Sequence, residues 1–181
     1  MGFRRSLTLF LAFAAPLCSA ADESALAVQQ RIKAAFLYKF AAYVEWPARV
    51  FSQPDTPIVI GVAGSEAIAH ELEQVAVGRT IAGRPVTVRR LARGDSVGEC
   101  CQILFIGAGE RGRTAELLAG AQGHPVLTVT EVDAQHPKGS VINFLASEDR
   151  IRFDISREAA ERNGLQLGSQ LLRVARQVAS Q

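Results

Sequence analysis

Apolar positions along this chain follow two different periods. Ile32, Phe36, Phe40 and Val44 recur at helical spacing with Tyr43 beside them, which predicts an amphipathic helix over Ala25 to Glu45. Pro47 pushes Trp46 toward extended backbone, so that helix is expected to stop near Glu45. Farther along, Ile58–Val62, Gln102–Ile106 and Val126–Thr130 are short apolar runs rich in β-branched residues, the pattern of strands buried on both faces. Helical stretches alternate with them. Ser65 reads as the N-cap of a helix through about Val77, with Ile68, Leu72 and Val75 on one face. Arg113 to Ala119 reads as another, stopped by the segment Gly120 to Pro125. Between them, Thr80-Ile81, Ala82-Gly83 and Val86 to Val88 predict a hairpin or a bent strand. Strand–helix–strand alternation predicts a largely parallel sheet.

The period changes after Ser140. Ser140–Leu145 and Arg150–Ile155 flank a polar Ser147-Glu148-Asp149 turn, which predicts an antiparallel hairpin. In its second strand Ile151, Phe153 and Ile155 share one face, while Arg150, Arg152 and Asp154 share the other, solvent-facing one. Ser156 should cap a short helix that Gly164 ends, although Ala159 stands where a capping box needs Glu or Gln. Ser169 to Val178 predicts a final amphipathic helix through Leu171, Leu172, Val174, Ala175 and Val178. No repeat or linker divides the chain. The expected class is α/β, a single domain over residues 21–181: a mixed, mostly parallel sheet flanked by helices, with a C-terminal antiparallel hairpin and two terminal helices.

Residues 1–20 change this picture. Arg4 and Arg5, the apolar run Leu7 to Leu17 and the small residues Cys18-Ser19-Ala20 have the order of a secretory signal peptide cleaved before Ala21. The run is short for a membrane span, and the bulky Leu17 before Cys18 suits a lipid anchor poorly. Cleavage removes two of the 20 basic residues and leaves them balanced against 18 acidic ones. No basic cluster remains to suggest nucleic acid. The expected product is a soluble exported protein.

Candidate chemistry is sparse. Cys100 and Cys101 are adjacent, and a disulfide between neighbours closes a strained ring. They read either as one buried thiol heading a strand and one partly exposed thiol, or as a redox site forming an intermolecular bridge. His70, His124 and His136 lack metal-ligand spacing with them, so no metal is expected. Gly107-Ala-Gly109-Glu-Arg-Gly112 follows a predicted strand, with Glu131 placed as a ribose acid would be, which resembles a dinucleotide loop. Its internal position, the bulk of Glu110 and Arg111, and the export signal favour a plain glycine-rich turn. Glu148, Asp149 and Asp154 are explained by a turn and a solvent-facing strand, and no catalytic motif appears. The chain is read as no enzyme and as needing no cofactor. Phe36 and Phe40 are expected in the core, whereas Tyr38, Tyr43 and Trp46 have the chemistry of either core or partner contact.

Lys33-Ala-Ala-Phe-Leu-Tyr-Lys-Phe-Ala-Ala-Tyr-Val-Glu-Trp-Pro47 resembles the signature of the YfiR family of periplasmic proteins. The likeness continues through Cys101–Ile106, Val126–Thr130, Gly139–Phe144, Arg152–Ile155 and the segment from Ala159 to Leu172. It implies a small α/β periplasmic protein without catalytic activity. It further implies, from the best understood family member, repression of an inner-membrane diguanylate cyclase of the YfiN type by binding of its periplasmic sensor region, which lowers cyclic-di-GMP and biofilm formation. The resemblance also implies a homodimer and a small aromatic, nucleotide or cell-wall ligand. By motif it points to Phe144, Arg152, Asp154 and Leu165 as partner- or ligand-binding positions. Family members often tie the cysteine matching Cys101 to an upstream cysteine, for which nothing between Ala21 and Glu99 can serve here. A periplasmic small-molecule sensor acting on a histidine kinase or transporter keeps the same fold, and a dinucleotide-binding enzyme is the remote alternative.

Overall fold

The computed structural model describes residues 19–132, 135–145 and 150–179. Most of the expected signal peptide and the expected turn at 147–149 lie outside the described residues. Five helices are present there: α1 (Ser19–Tyr43), α2 (Glu66–Ala76), α3 (Thr114–Ala121), α4 (Arg157–Arg162) and α5 (Ser169–Val174). The strands are β1 (Val44–Glu45), β2 (Ile58–Ala63), β3 (Thr80–Ile81), β4 (Arg84–Arg90), β5 (Ile103–Ile106), β6 (Leu127–Glu131), β7 (Ile142–Leu145), β8 (Arg152–Ser156), β9 (Gln166–Leu167) and β10 (Gln177–Ala179).

Eight of these strands form one sheet in the order β10-β8-β7-β6-β5-β2-β4-β3. The run β4-β2-β5-β6-β7 is parallel throughout, and β7 and β8 form the expected antiparallel hairpin. The mostly parallel α/β class is therefore borne out. Side-chain alternation explains the continuous apolar runs. Ile60, Val62, Ile103, Phe105, Leu127 and Val129 enter the larger core cluster beneath α1 and α2, while Ala63, Leu104 and Ile106 enter a second cluster with Leu117, Leu118 and Ala121 of α3. Each large side chain buried this way contributes roughly 1.5–3 kcal/mol.

Local chemistry sets the joints. Ser65 Oγ accepts from the Ile68 amide at 3.4 Å and starts α2, and Ser156 Oγ accepts from the Ala159 amide at 3.2 Å and starts α4. Gly164, at φ +67, ends α4 in the left-handed region. Ala82 (φ 51) and Gly83 (φ 78) join β3 to β4 as a tight hairpin, and β4 then continues as a parallel partner of β2.

Three expectations are corrected. α1 ends at Tyr43 because Val44 and Glu45 leave the helix to pair with Leu167 and Gln166 in a separate two-stranded antiparallel ribbon. Its buried stripe is Ala34, Leu37, Phe40 and Ala41, with Ile32 left exposed, because the helix is turned to carry Lys33 inside. The final helix stops at Val174. Ala175 is extended, the Arg176 amide donates to the Phe153 carbonyl at 2.8 Å, and Gln177–Ala179 runs parallel to β8 as an edge strand. The helical period of its apolar residues hid that switch.

Beneath the parallel strands lies a polar cluster. Thr128, Thr130, Ser140 and Asn143 are all fully buried. Thr130 Oγ1 donates to Asn143 Oδ1 at 2.8 Å, and Asn143 bonds both the amide and the carbonyl of Val132 at 3.1 and 3.0 Å. Ser140 Oγ donates to the Ile142 carbonyl at 2.7 Å. Truncating Asn143 strands buried partners, so Asn143→Ala should lower the unfolding free energy by about 1–3 kcal/mol. Urea denaturation checks this: the midpoint should fall with an unchanged slope.

Candidate functional site

The aromatic end of α1 is seated by rings from the hairpin. Phe40 meets Phe153 edge-on at 5.1 Å between centroids and Phe144 in a stacked arrangement at 5.9 Å. Phe36 meets Phe153 at 5.6 Å. These geometries add about 0.5–1.5 kcal/mol per pair to the burial itself. Phe40 is thus core as expected, Phe36 is partly buried against the same cluster, and Phe144 lies wholly inside it. Lys33 completes the seat. It is buried on α1, and its Nζ lies 3.0 Å from Glu131 Oε2 at the end of β6. Glu131, the residue placed to bind a ribose, is therefore committed to a cation of the protein itself.

The remaining aromatics point to different places. Tyr38 is half-buried and its hydroxyl donates to the Thr80 carbonyl at 3.4 Å, toward the β3 edge of the sheet. Tyr43 is half-buried at the start of the β1–β9 ribbon, where its carbonyl accepts the Gly168 amide at 2.8 Å. A Cβ on Gly168 would stand 2.9 Å from that carbonyl, so the close approach needs glycine. Trp46 follows β1 directly. Its body is half-buried, and its indole N–H is buried without an acceptor among the described residues.

Residues singled out by family resemblance divide in the same way. Leu165 is buried below the ribbon, beside a shallow 200 Å³ cleft that it shares with Leu167 and Leu172. Arg152 is exposed on β8. Asp154 was expected on the solvent face, yet it is only 8% exposed, because Arg176 grips it through Nε at 2.9 Å and Nη2 at 2.5 Å. That fork ties the segment before β10 to β8. The structure thus brings Tyr43, Trp46 and Leu165 to one ribbon and Phe144, Arg152 and Asp154 to one hairpin. Tyr38 stands apart.

The glycine-rich loop has another job. The strand order reverses between β2 and β5, where doubly wound sheets open a ligand crevice at the carboxyl ends of the strands. Here the two turns close on each other. The Gly107 amide donates to the Ala63 carbonyl at 2.8 Å and the Gly109 amide to the Gly64 carbonyl at 3.1 Å. A Cβ on Gly109 would stand 2.6 Å from Gly64 O. These amides face protein carbonyls, and residues 108–113 form a short 3-10 segment.

Two open clefts flank the sheet. One, of about 650 Å³, lies past the end of β6 and is lined by Arg111, Thr114, Leu118, Val132, His136 and Pro137 among others. Another, of about 380 Å³, is lined by Arg49, Glu99, Cys101, Gln102 and His124 among others. Cys101 is buried and Cys100 half-buried, with sulfurs 2.8 Å apart. The Cys101 hydrogen bond, with a smaller contribution from the charge of Arg89, holds the Cys100 thiol below the ordinary thiol range, while the Cys100 bond and burial push Cys101 well above it. No group of three His, Cys, Asp or Glu side chains among the described residues could hold a metal ion. No described helix is long and apolar enough to cross a membrane.

Sequence reasoning missed Lys33 and Arg176 as tethers. A cation on an apolar helix face and an acid within an alternating strand were the available signals, and each needed its distant partner to be read. Removing one partner of the α1 tether should be costly. Glu131→Ala leaves Lys33 buried without an anion and should lower stability by roughly 1–3 kcal/mol, whereas Lys33→Met with Glu131→Leu should recover most of that loss. Thermal denaturation of the two variants checks the difference.

A family model described as YfiR/HmsC-like matches residues 30–176. The match takes in both tethers, from just before Lys33 to Arg176 itself.

Proposed function

The chain belongs to the YfiR/HmsC-like family, and from that premise we propose that it is a non-catalytic periplasmic repressor that binds the periplasmic sensor region of an inner-membrane diguanylate cyclase. Membership in a family of periplasmic regulators of such cyclases is the observation that carries the reading. By holding the sensor region in its inactive arrangement, the protein lowers cyclic-di-GMP and biofilm formation. A signal relieves repression by binding the free form more tightly than the complexed one.

The β1–β9 ribbon supplies the docking surface in this proposal. It presents Tyr43 and Trp46, two amphipathic aromatics of the kind enriched at interfaces. Arg152, exposed on β8, is a further contact in this proposal and Tyr38, toward the β3 edge, a separate one, while Phe144, Leu165 and Asp154 are buried and act through the shape of the fold. Homodimerisation belongs to the same proposal.

The 650 Å³ cleft beyond β6 favours a second reading, a sensor of a small aromatic, nucleotide or cell-wall ligand whose output is a histidine kinase or transporter. Its size suits a small molecule, and its place at the carboxyl end of a parallel strand is where such folds bind ligands.

Deleting the gene in a strain that carries a transmembrane diguanylate cyclase should raise cyclic-di-GMP; an unchanged level would count against repression and favour the sensor reading. In the complemented strain, Trp46→Ala and Tyr38→Ala should each weaken repression while the melting temperature falls by no more than several degrees. Outright unfolding of both variants would instead assign these side chains to the core.

A further inference from the structure

Cys100 and Cys101 form a second kind of site. We propose that they are a thiol–disulfide exchange site, a vicinal dithiol that a low-molecular-weight disulfide oxidises to a bond closed across their shared peptide. The sulfurs already stand 2.8 Å apart. No other free cysteine occurs among the described residues, so the resolving thiol for Cys100 is its neighbour. Access is unequal. Cys101 is held inside with its sulfur against the backbone of Gly61, where an added Cβ would stand 2.8 Å away. Cys100 is half-exposed, near Arg89 and Asp95, and its thiol donates to the Val97 carbonyl at 3.6 Å.

The unequal access assigns the order of events. The Cys100 thiolate attacks one sulfur of the small disulfide, forming a mixed disulfide and releasing one small thiolate. The Cys101 thiol then gives up its proton to solvent and attacks the Cys100 sulfur. That forms the Cys100–Cys101 bond and releases the second small thiolate, so the protein loses two hydrogens and the small disulfide is reduced to two thiols. Neighbouring Cα atoms stand about 3.8 Å apart, less than the span of an ordinary disulfide. The product is therefore strained and easily reduced, as suits exchange and not a structural staple. Cys101 also lines the 380 Å³ cleft beside Gly98 and Glu99, so closing the ring alters one wall of that cleft.

The test incubates the folded protein with oxidised glutathione and maps the thiols by mass spectrometry. Trypsin releases residues 94–111 as one fragment, separate from Cys18. The expected fragment is two hydrogens lighter and resists maleimide until it is reduced. A lasting glutathione adduct on Cys100 beside a free Cys101, a disulfide-linked dimer, or two thiols left unreacted would each overturn the proposal. Cys101→Ser should trap the glutathione adduct on Cys100. Should that variant not fold, Cys100→Ser decides, because the buried Cys101 alone should react at least about tenfold more slowly than the native pair. Equal rates would overturn the order of attack.

Discussion

The contact between Phe36 and Phe40 of α1 and Phe144 and Phe153 of the hairpin is the joint on which the other features depend. Without those rings the helix has no reason to lie with Lys33 inward, where it meets its counter-charge at Glu131. The same seating delivers Tyr43 and Val44 to the place where Gly168 and Leu167 can close the ribbon. Packing, a buried ion pair and a two-stranded ribbon therefore act together: the apolar contact supplies most of the free energy, and the polar ones choose a single orientation.

An α/β sheet of this order has a natural crevice where its winding reverses, and this molecule has given it up. Gly64, Gly107 and Gly109 bring two turns so close that no side chain fits between them. What would be a ligand mouth is part of the scaffold. In the proposed function, recognition falls to the periphery, at the ribbon and at the clefts beyond β6 and below β5. A regulator that works by covering and uncovering a partner suits such a surface, because its binding elements need rigid support and no enclosed cavity.

The fold was legible where a residue's environment follows from its neighbours in sequence. Runs such as Ile103–Ile106 announce strands covered on both sides, and Ser65 and Ser156 announce helix starts. It was illegible where the decision lies across the chain. The stripe through Ile32 obeyed the helical period, yet the burial of Lys33 through Glu131 turned the helix away from it. Val174 and Val178 fit one amphipathic helix until the Arg176–Asp154 fork pulled the chain into a strand. Of the candidate site, Phe36 and Phe40 could be named as core rings, but the seat of Tyr43 and Trp46 beside the ribbon could not. Tyr38 and Tyr43 are chemically alike, and only the sheet beneath distinguishes them.

The position of β10 bears on how the protein comes to be folded. It follows every other element in the chain and covers the β8 edge last. The rings that seat α1 are likewise separated from it by more than a hundred residues of sequence. The architecture is thus held by distant contacts, a topology of the kind associated with slow folding. Until β10 is in place the β8 edge stands open to pairing with other chains, and a helper that shields it would serve the nascent protein better than one that shields the central strands.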